Sequence, residues 1–383
     1  MKKRSMFILF SAILISGCAD TEEEPVTTDP DITSNEEGNE GQDDQQDQEV
    51  SEEQEEQNEH EVISDEPEIV AENLEIPWSI DKEGDTFYLT ERPGYITKVE
   101  NGETVRQDVE LEKALSTVSE AGLLGFVLDP DFSQNNLAYA YYTYEGGSGT
   151  MNRIVTLQLS EDVWTEEEIL LDEIPSGTVH HGGRLKIGPD DMLYATTGDA
   201  STAEIAQDTE SLGGKILRMN RDGSVPDDNP FSDSYVYSYG HRNPQGITWS
   251  SDDRLYASEH GNSANDEINQ IEAGENYGWP IIEGEEEQDG MISPLFTSGN
   301  SDTWAPSGMD YHNGKVYVAG LRGSAVYEFD LETGEQTEIV SGFGRIRDVL
   351  IEDDMLYFIS NNTDGRGDPD ENDDKLYQLS IQE

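Results

Sequence analysis

One cysteine, Cys18, serves the whole 383-residue chain, so neither an intramolecular disulfide nor a multi-thiolate metal site can be built from it. Positive charge is also scarce: 22 Lys and Arg stand against 84 Asp and Glu, a formal net charge of −62. No Lys or Arg occurs between Arg4 and Lys82. Residues 73–383 alone carry 61 acids and 19 bases, a net charge of about −42, which excludes a nucleic-acid partner held through its phosphates. Carboxylates at that density keep a surface hydrated and point to adaptation to high salt; a specific cationic partner is the alternative. Helical periodicity is nearly missing too, Thr165 to Leu171 and Ala203 to Leu212 being the best candidates, both short. Beyond the N-terminus no segment approaches the roughly 20 apolar residues that span a bilayer.

What is present begins with Lys2, Lys3 and Arg4, an apolar run from Met6 to Ile15, and then Ser16-Gly17-Cys18. A basic start, a short apolar stretch and small residues before a cysteine form an export signal. This one resembles the lipobox of bacterial lipoproteins, which implies a signal peptide over residues 1–17, lipidation of Cys18, and an extracytoplasmic protein anchored to the cell membrane by lipid alone. An ordinary signal peptide with an incidental cysteine is the other reading. Residues 18–68 are mostly Glu, Asp, Gln, Asn, Ser and Thr; such a composition cannot offset its ordering entropy, so a disordered acidic linker is expected. Its function is reach.

The folded part, residues 69–383, repeats itself. An apolar residue precedes a tyrosine at Phe87-Tyr88, Ala138-Tyr139, Leu193-Tyr194, Leu255-Tyr256, Val316-Tyr317 and Leu356-Tyr357. Short strand-like runs surround these pairs, among them Ile154 to Leu159, Lys215 to Met219 and Val326 to Asp330, bounded by Gly, Asp and Asn. Six such units of four strands each predict an all-β fold, a six-bladed β-propeller, with functional loops gathered at one end of a central channel.

Candidate chemistry lies in several constellations. Glu120 begins the run Glu120-Ala121-Gly122-Leu123-Leu124-Gly125-Phe126. His180 and His181 precede Gly182-Gly183-Arg184, with Asp199 following Thr197-Gly198; adjacent histidines on a strand would face opposite ways, so one could serve as a general base but the pair suits no shared metal. Arg242 and Asn243 sit in a Gly-bounded turn, offering a fixed cation and an amide to an anionic or carbonyl ligand. Asp266 and Glu267, beside the Gly261-Asn262 turn, supply hard oxygens suited to Ca²⁺. Arg322 follows Leu321, and Arg345 and Arg347, two apart at strand spacing, would put two cations on one face for a ligand with several carboxylates.

The order of these motifs resembles the PQQ-dependent sugar dehydrogenase family, the soluble glucose dehydrogenases and aldose sugar dehydrogenases. L-E-I-P-W, E-A-G-L-L-G-F, H-H-G-G-R-L, T-G-D, G-G-K-I-L-R-M-N-R-D-G-S-V-P, G-H-R-N-P-Q-G, D-E-I-N, N-Y-G-W-P and R-I-R-D carry the resemblance across essentially the whole folded part. It implies a six-bladed propeller with pyrroloquinoline quinone (PQQ) in the channel. His180 matches the general base, Arg242 and Asn243 the contacts to the quinone carbonyls, and Arg345 and Arg347 the clamp on the cofactor's carboxylates. Gly261 and Asn262 match carbonyls holding a catalytic Ca²⁺, Glu267 and the Tyr277 carbonyl a second, structural Ca²⁺, and Asp199 a sugar contact. Glu120 stands where the glucose enzyme has glutamine, Val179 where it has aspartate, and Arg322 where it has lysine against the cofactor. Since Glu120 and Val179 fall near the substrate, glucose specificity does not carry over, and the shorter aldose-dehydrogenase branch is the closer match. The implied activity is oxidation of aldose sugars at the anomeric carbon to lactones, with an unassigned electron acceptor. A cofactor-free sugar-binding propeller and a Ca²⁺-dependent lactone hydrolase are the rival readings.

Overall fold

The computed structural model describes residues 66–381, Ser148 apart; the expected signal peptide, Cys18 and nearly all of the expected acidic linker lie outside them. Because the strand-forming stretches are short and closed off by Gly, Asp or Asn, each pairs antiparallel with the next, and the chain runs as consecutive meanders. Four sheets hold four strands each and a fifth holds eight. The eight divide into two meanders, joined where Glu103–Glu110 pairs in parallel with Val163–Pro175.

The innermost strands are Pro77–Glu83, Leu123–Leu128, Leu185–Ile187, Pro244–Trp249, Pro306–His312 and Ile346–Glu352. Each lies against the next, and the last returns to the first. This closed ring is a six-bladed β-propeller, as the repeats predicted. Its closure is made by Glu68–Ala71, which pairs with Leu376–Ser380 and so becomes the outer strand of the last blade.

The apolar-Tyr pairs explain why the ring closes. All six fall on the second strand of a blade, where neighbouring residues point to opposite faces of the sheet. Phe87 therefore packs between the last and first blades while Tyr88 packs between the first and second. The same division recurs around the ring, each apolar residue entering one interface and its tyrosine the following one. Six apolar clusters thus fill six interfaces. Inner-strand carboxylates add a polar stitch: Asp81 accepts the Leu128 N–H at 2.6 Å, Asp310 the Ile351 N–H at 2.9 Å, and Asp348 the Ile80 N–H at 2.9 Å. Each bond crosses to the next blade.

Both helical expectations are revised. Thr165 to Leu171 belongs to the strand Val163–Pro175, where pairing with Gly149–Ser160 overrides the weak helical preference of its glutamates. Ala203 to Leu212 contributes one 3₁₀ turn, Ala203–Gln207. Among the described residues no helix is long and apolar enough to cross a membrane.

Candidate active site

Five of the six inner strands slip in register against their neighbours; Leu185–Ile187 pairs cleanly. Register slips occur between Pro77 and Ser79, Leu123 and Phe126, Pro244 and Gly246, Pro306 and Met309, and Ile346 and Asp348. A slip of this kind leaves residues outside the ladder and re-aims their side chains. Trp78, Leu124, Gln245 and Arg347 are released in this way, and all four line one cavity in the channel. Arg345 and Arg347 accordingly are not alternate residues of a regular strand, as their spacing suggested. Arg345 precedes the strand, and Arg347 occupies its bulge.

The two arginines also differ in charge balance. Arg345 donates from Nε and Nη2 to Asp364 Oδ2 at 3.1 and 2.9 Å and from Nη1 to the Leu321 carbonyl at 3.1 Å. Each of its three nitrogens donates. Arg347 donates to the neutral acceptors Gln245 Oε1 and Asn361 Oδ1 at 2.9 and 3.0 Å, and its nearest carboxylate oxygen, on Asp364, is 4.0 Å away. Burial pushes its guanidinium down to about 9, with the Asp364 charge opposing and the Arg345 charge adding to the shift. A buried cation without a close counter-ion is a standing demand for an anion.

His180 and His181 lie in an irregular segment before Leu185–Ile187, not on a strand. They still part company. His181 is 2% exposed, with Nδ1 3.0 Å from Ser176 Oγ, and burial lowers it to about 4. His180 opens on the cleft. Its Nδ1 meets Asp199 Oδ1 at 2.8 Å, and a carboxylate partner there fixes the proton on Nδ1 and leaves Nε2 as the basic atom. Asp199 is 1% exposed; Oδ1 also accepts the Ser201 N–H at 2.8 Å and Oδ2 the Trp279 indole N–H at 2.9 Å. The structure places Asp199 behind the imidazole.

Arg242 and Asn243 are held by a buried support. His241, fully buried, bonds Glu259 Oε2 through Nδ1 and Ser238 Oγ through Nε2, each at 2.8 Å, and stacks on Tyr277 at 4.8 Å. The other Glu259 oxygen accepts the Arg242 backbone N–H. So fixed, the Arg242 guanidinium lies over the Trp279 ring at 5.3 Å with Nε unpartnered. Asn243 uses Oδ1 to accept the Gly182 N–H at 3.0 Å, and the residue lines the cleft.

Glu120, His180, Arg242, Asn243, Gly261, Asn262 and Arg322 converge on this cleft of about 270 Å³. Arg322 is exposed at its rim. Arg347 lines the adjoining cavity, which shares Glu120 and His260 with the cleft. Gly261 is a necessary glycine, since a β carbon there would sit 2.0 Å from the Ala264 carbonyl oxygen. The Gly261 and Asn262 carbonyls accept no hydrogen bond among the described residues, which suits hard-cation coordination. Glu267 and Tyr277 do not line the cleft. Burial, reinforced by the Glu259 charge, pushes Glu267 up to about 8, and Glu283 Oε2, Asn265 Oδ1 and Asn269 Oδ1 are buried without partners. Unpaired buried oxygens on that side fit a second cation.

Sequence reasoning missed Arg366, Trp78, Gln245, His260 and Asp364 as site residues. Trp78 and Trp279 stood inside quoted motifs but carried no role. Arg366, one of few bases and flanked by glycines, could have been noticed by the scarcity that singled out the other arginines.

Fold and site together define a β-propeller whose channel carries a carboxylate-paired imidazole and buried guanidinium groups without close counter-ions. The chain belongs to the Glucose / Sorbosone dehydrogenase family, whose profile matches residues 74–369. An aldose sugar dehydrogenase of Escherichia coli is 29% identical over 339 residues, 78% of this chain and 90% of that protein. The quinoprotein glucose dehydrogenase B of Acinetobacter calcoaceticus is 34% identical over 261 residues, 58% of this chain and 54% of that protein. The PQQ-bound aldose sugar dehydrogenase of Streptomyces coelicolor superposes with a TM-score of 0.77 at 37% identity, covering 82% of this chain and 97% of that one.

Proposed function

We propose that this chain is a PQQ- and Ca²⁺-dependent aldose dehydrogenase, lipid-anchored through Cys18 outside the cytoplasm, that oxidises sugars at the anomeric carbon to lactones. The observation that carries it is the pairing of His180 Nδ1 with Asp199 at 2.8 Å beside a buried Arg347 that lacks a close carboxylate. A flat, acceptor-rich polycarboxylate fits this donor set: the Arg347 guanidinium meets its charge, and Arg242 Nε, His181 Nε2 and His260 Nε2 are buried donors or ring nitrogens without partners. Arg242, Asn243, Arg322 and Arg347 would hold PQQ, with Arg345 bracing Asp364 beside them. Gly261 and Asn262 would offer carbonyls to the catalytic Ca²⁺; Glu267 and the Tyr277 carbonyl would serve a structural one.

When bound, PQQ supplies the two-electron acceptor for the hydride leaving the anomeric carbon, and Ca²⁺ the Lewis acid. The protein's part is proton transfer and aim. The anomeric hydroxyl gives its proton to His180 Nε2 as hydride departs, and the imidazolium so formed is stabilised by Asp199 through Nδ1–H. Trp279 and Ser201, bonded to Asp199, keep that carboxylate from turning toward solvent. Arg242, stacked on Trp279, presents positive charge to the developing oxyanion side of the site.

The test is to add PQQ and Ca²⁺ to the purified protein and follow sugar-dependent dye reduction together with quinone absorbance on the protein. Activity on several aldoses is expected. Absence of both signals would overturn the assignment.

A further inference from the structure

One carboxylate at the rim ties distant parts of the chain together. Glu120 Oε1 accepts Arg366 Nη1 at 2.7 Å, and Glu120 Oε2 accepts the backbone N–H of His180 at 3.2 Å. Arg366 belongs to the loop between Met355–Ser360 and Leu376–Ser380 of the last blade, whereas Glu120 precedes the inner strand of the second. The pair therefore spans the cavity mouth that both residues line.

Each end is anchored. The Arg366 backbone N–H donates to Asp364 Oδ1 at 2.8 Å, on the carboxylate that also holds Arg345. Around Glu120, Arg92 donates to the Ala121 carbonyl from Nε at 3.1 Å and from Nη2 at 2.9 Å, and Nη2 also reaches the Ser119 carbonyl. Both peptide neighbours of Glu120 are thereby clamped. Its carboxyl keeps its charge as well: burial by itself raises Glu120, but the Arg366 guanidinium and the His180 N–H outweigh it and hold it at about 2.

The consequence falls on His180. Its φ is +64°, a left-handed conformation uncommon for a residue with a β carbon and kept only when surroundings impose it. Asp199 fixes the far side of the ring, but it does not fix the backbone from which the ring projects. The Glu120 carboxylate does. An ordinary surface ion pair between half-exposed partners adds little; this one differs because its second oxygen is spent on the peptide of the proposed base.

We infer that Arg366 is a positioning residue: paired with Glu120 across the mouth, it holds the His180 backbone so that Nε2 faces the sugar. The inference deepens the dehydrogenase reading and rests on it for the reaction, not for the contact.

The experiment uses Arg366→Gln, Arg366→Lys, Glu120→Gln and the Arg366→Gln/Glu120→Gln double variant, each reconstituted with PQQ and Ca²⁺. Arg366→Gln should lower kcat roughly tenfold, the scale of a modest misplacement of a reacting group, with sugar KM and quinone affinity unchanged. Lysine should restore most of the loss, and in the Glu120→Gln background the Arg366 change should add nothing. In the apo-protein, the His180 ring cross-peaks in a histidine-labelled NMR spectrum should move in Arg366→Gln and return in Arg366→Lys, while those of His312, which pairs with Asp354, stay in place. A raised sugar KM with kcat intact would make Arg366 a direct sugar contact and overturn the inference. Additive effects with Glu120→Gln, or unmoved His180 cross-peaks, would overturn it equally. If the wild-type chain oxidises no sugar, the dehydrogenase reading falls, and the His180 cross-peaks alone still decide whether Arg366 positions that residue.

Discussion

The Asp199 carboxylate lies between two rings, taking Nδ1 of His180 at 2.8 Å on one oxygen and the indole N–H of Trp279 at 2.9 Å on the other. A residue expected at the sugar is thereby committed to the imidazole. Replacing Asp199 by Asn should let an amide donate toward Nδ1 and turn the proton to Nε2, the wrong tautomer for a base. The expected result is a fall in kcat of roughly 100-fold or more, with the thermal midpoint little changed, measured by dye reduction and by differential scanning.

Arg345 and Arg347 should respond oppositely to removal of their charge. Arg345→Met removes the close guanidinium from the Asp364 carboxylate, whose side chain is 3% exposed, and should destabilise the protein by about 3–5 kcal/mol. Arg347→Met leaves no carboxylate unpaired and relieves a buried cation, so folding stability should change far less while quinone affinity drops about 100-fold, the worth of a charged hydrogen bond. Denaturant titration and quinone binding, run on both variants, separate these outcomes.

Acid should weaken the fold through His181. Its folded pKa is lowered to about 4 by burial, against about 6.5 in the unfolded chain. A base held neutral in this way contributes stability that is complete above pH 6.5 and lost as pH falls toward 4, because only the unfolded chain takes up the proton. The loss over that window should be on the order of 3 kcal/mol. Denaturation of the wild type and of His181→Asn at pH 7 and pH 4.5 checks it: the variant should lack this part of the pH dependence.

Gly125 should not tolerate a side chain. A β carbon there would meet the Gly183 carbonyl oxygen at 2.0 Å, backbone against backbone, between the inner strand of the second blade and the segment carrying His180. Gly125→Ala should cost about 1–3 kcal/mol and disturb the site as well, read as a lowered thermal midpoint together with a lowered kcat.

Much of the architecture was legible because its signals are local. One meander per unit follows from short strands and polar turns. The apolar-Tyr pair announces the blade count because alternation along a strand sends its two side chains into successive interfaces. His180, Arg242 and Asn243 could likewise be picked out as polar residues in Gly-rich turns, and the cleft does gather them. The strand placement of Thr165 to Leu171 was not legible, since its glutamates favour a helix until the neighbouring strand Gly149–Ser160 is present to pair with.

The sequence by itself determined which groups were available: a base, several cations, free carbonyls and the six-fold repeat that closes a ring. Only the tertiary structure decided what each cation does. Arg345 and Arg347 are equivalent in sequence, yet Asp364 neutralises the first, and a register slip turns the second into the channel without a close counter-ion. Glu120 and Arg366 are 246 residues apart, and nothing in either stretch specifies the other. Electrostatic roles depend on distances of a few ångströms, and ring closure sets those distances.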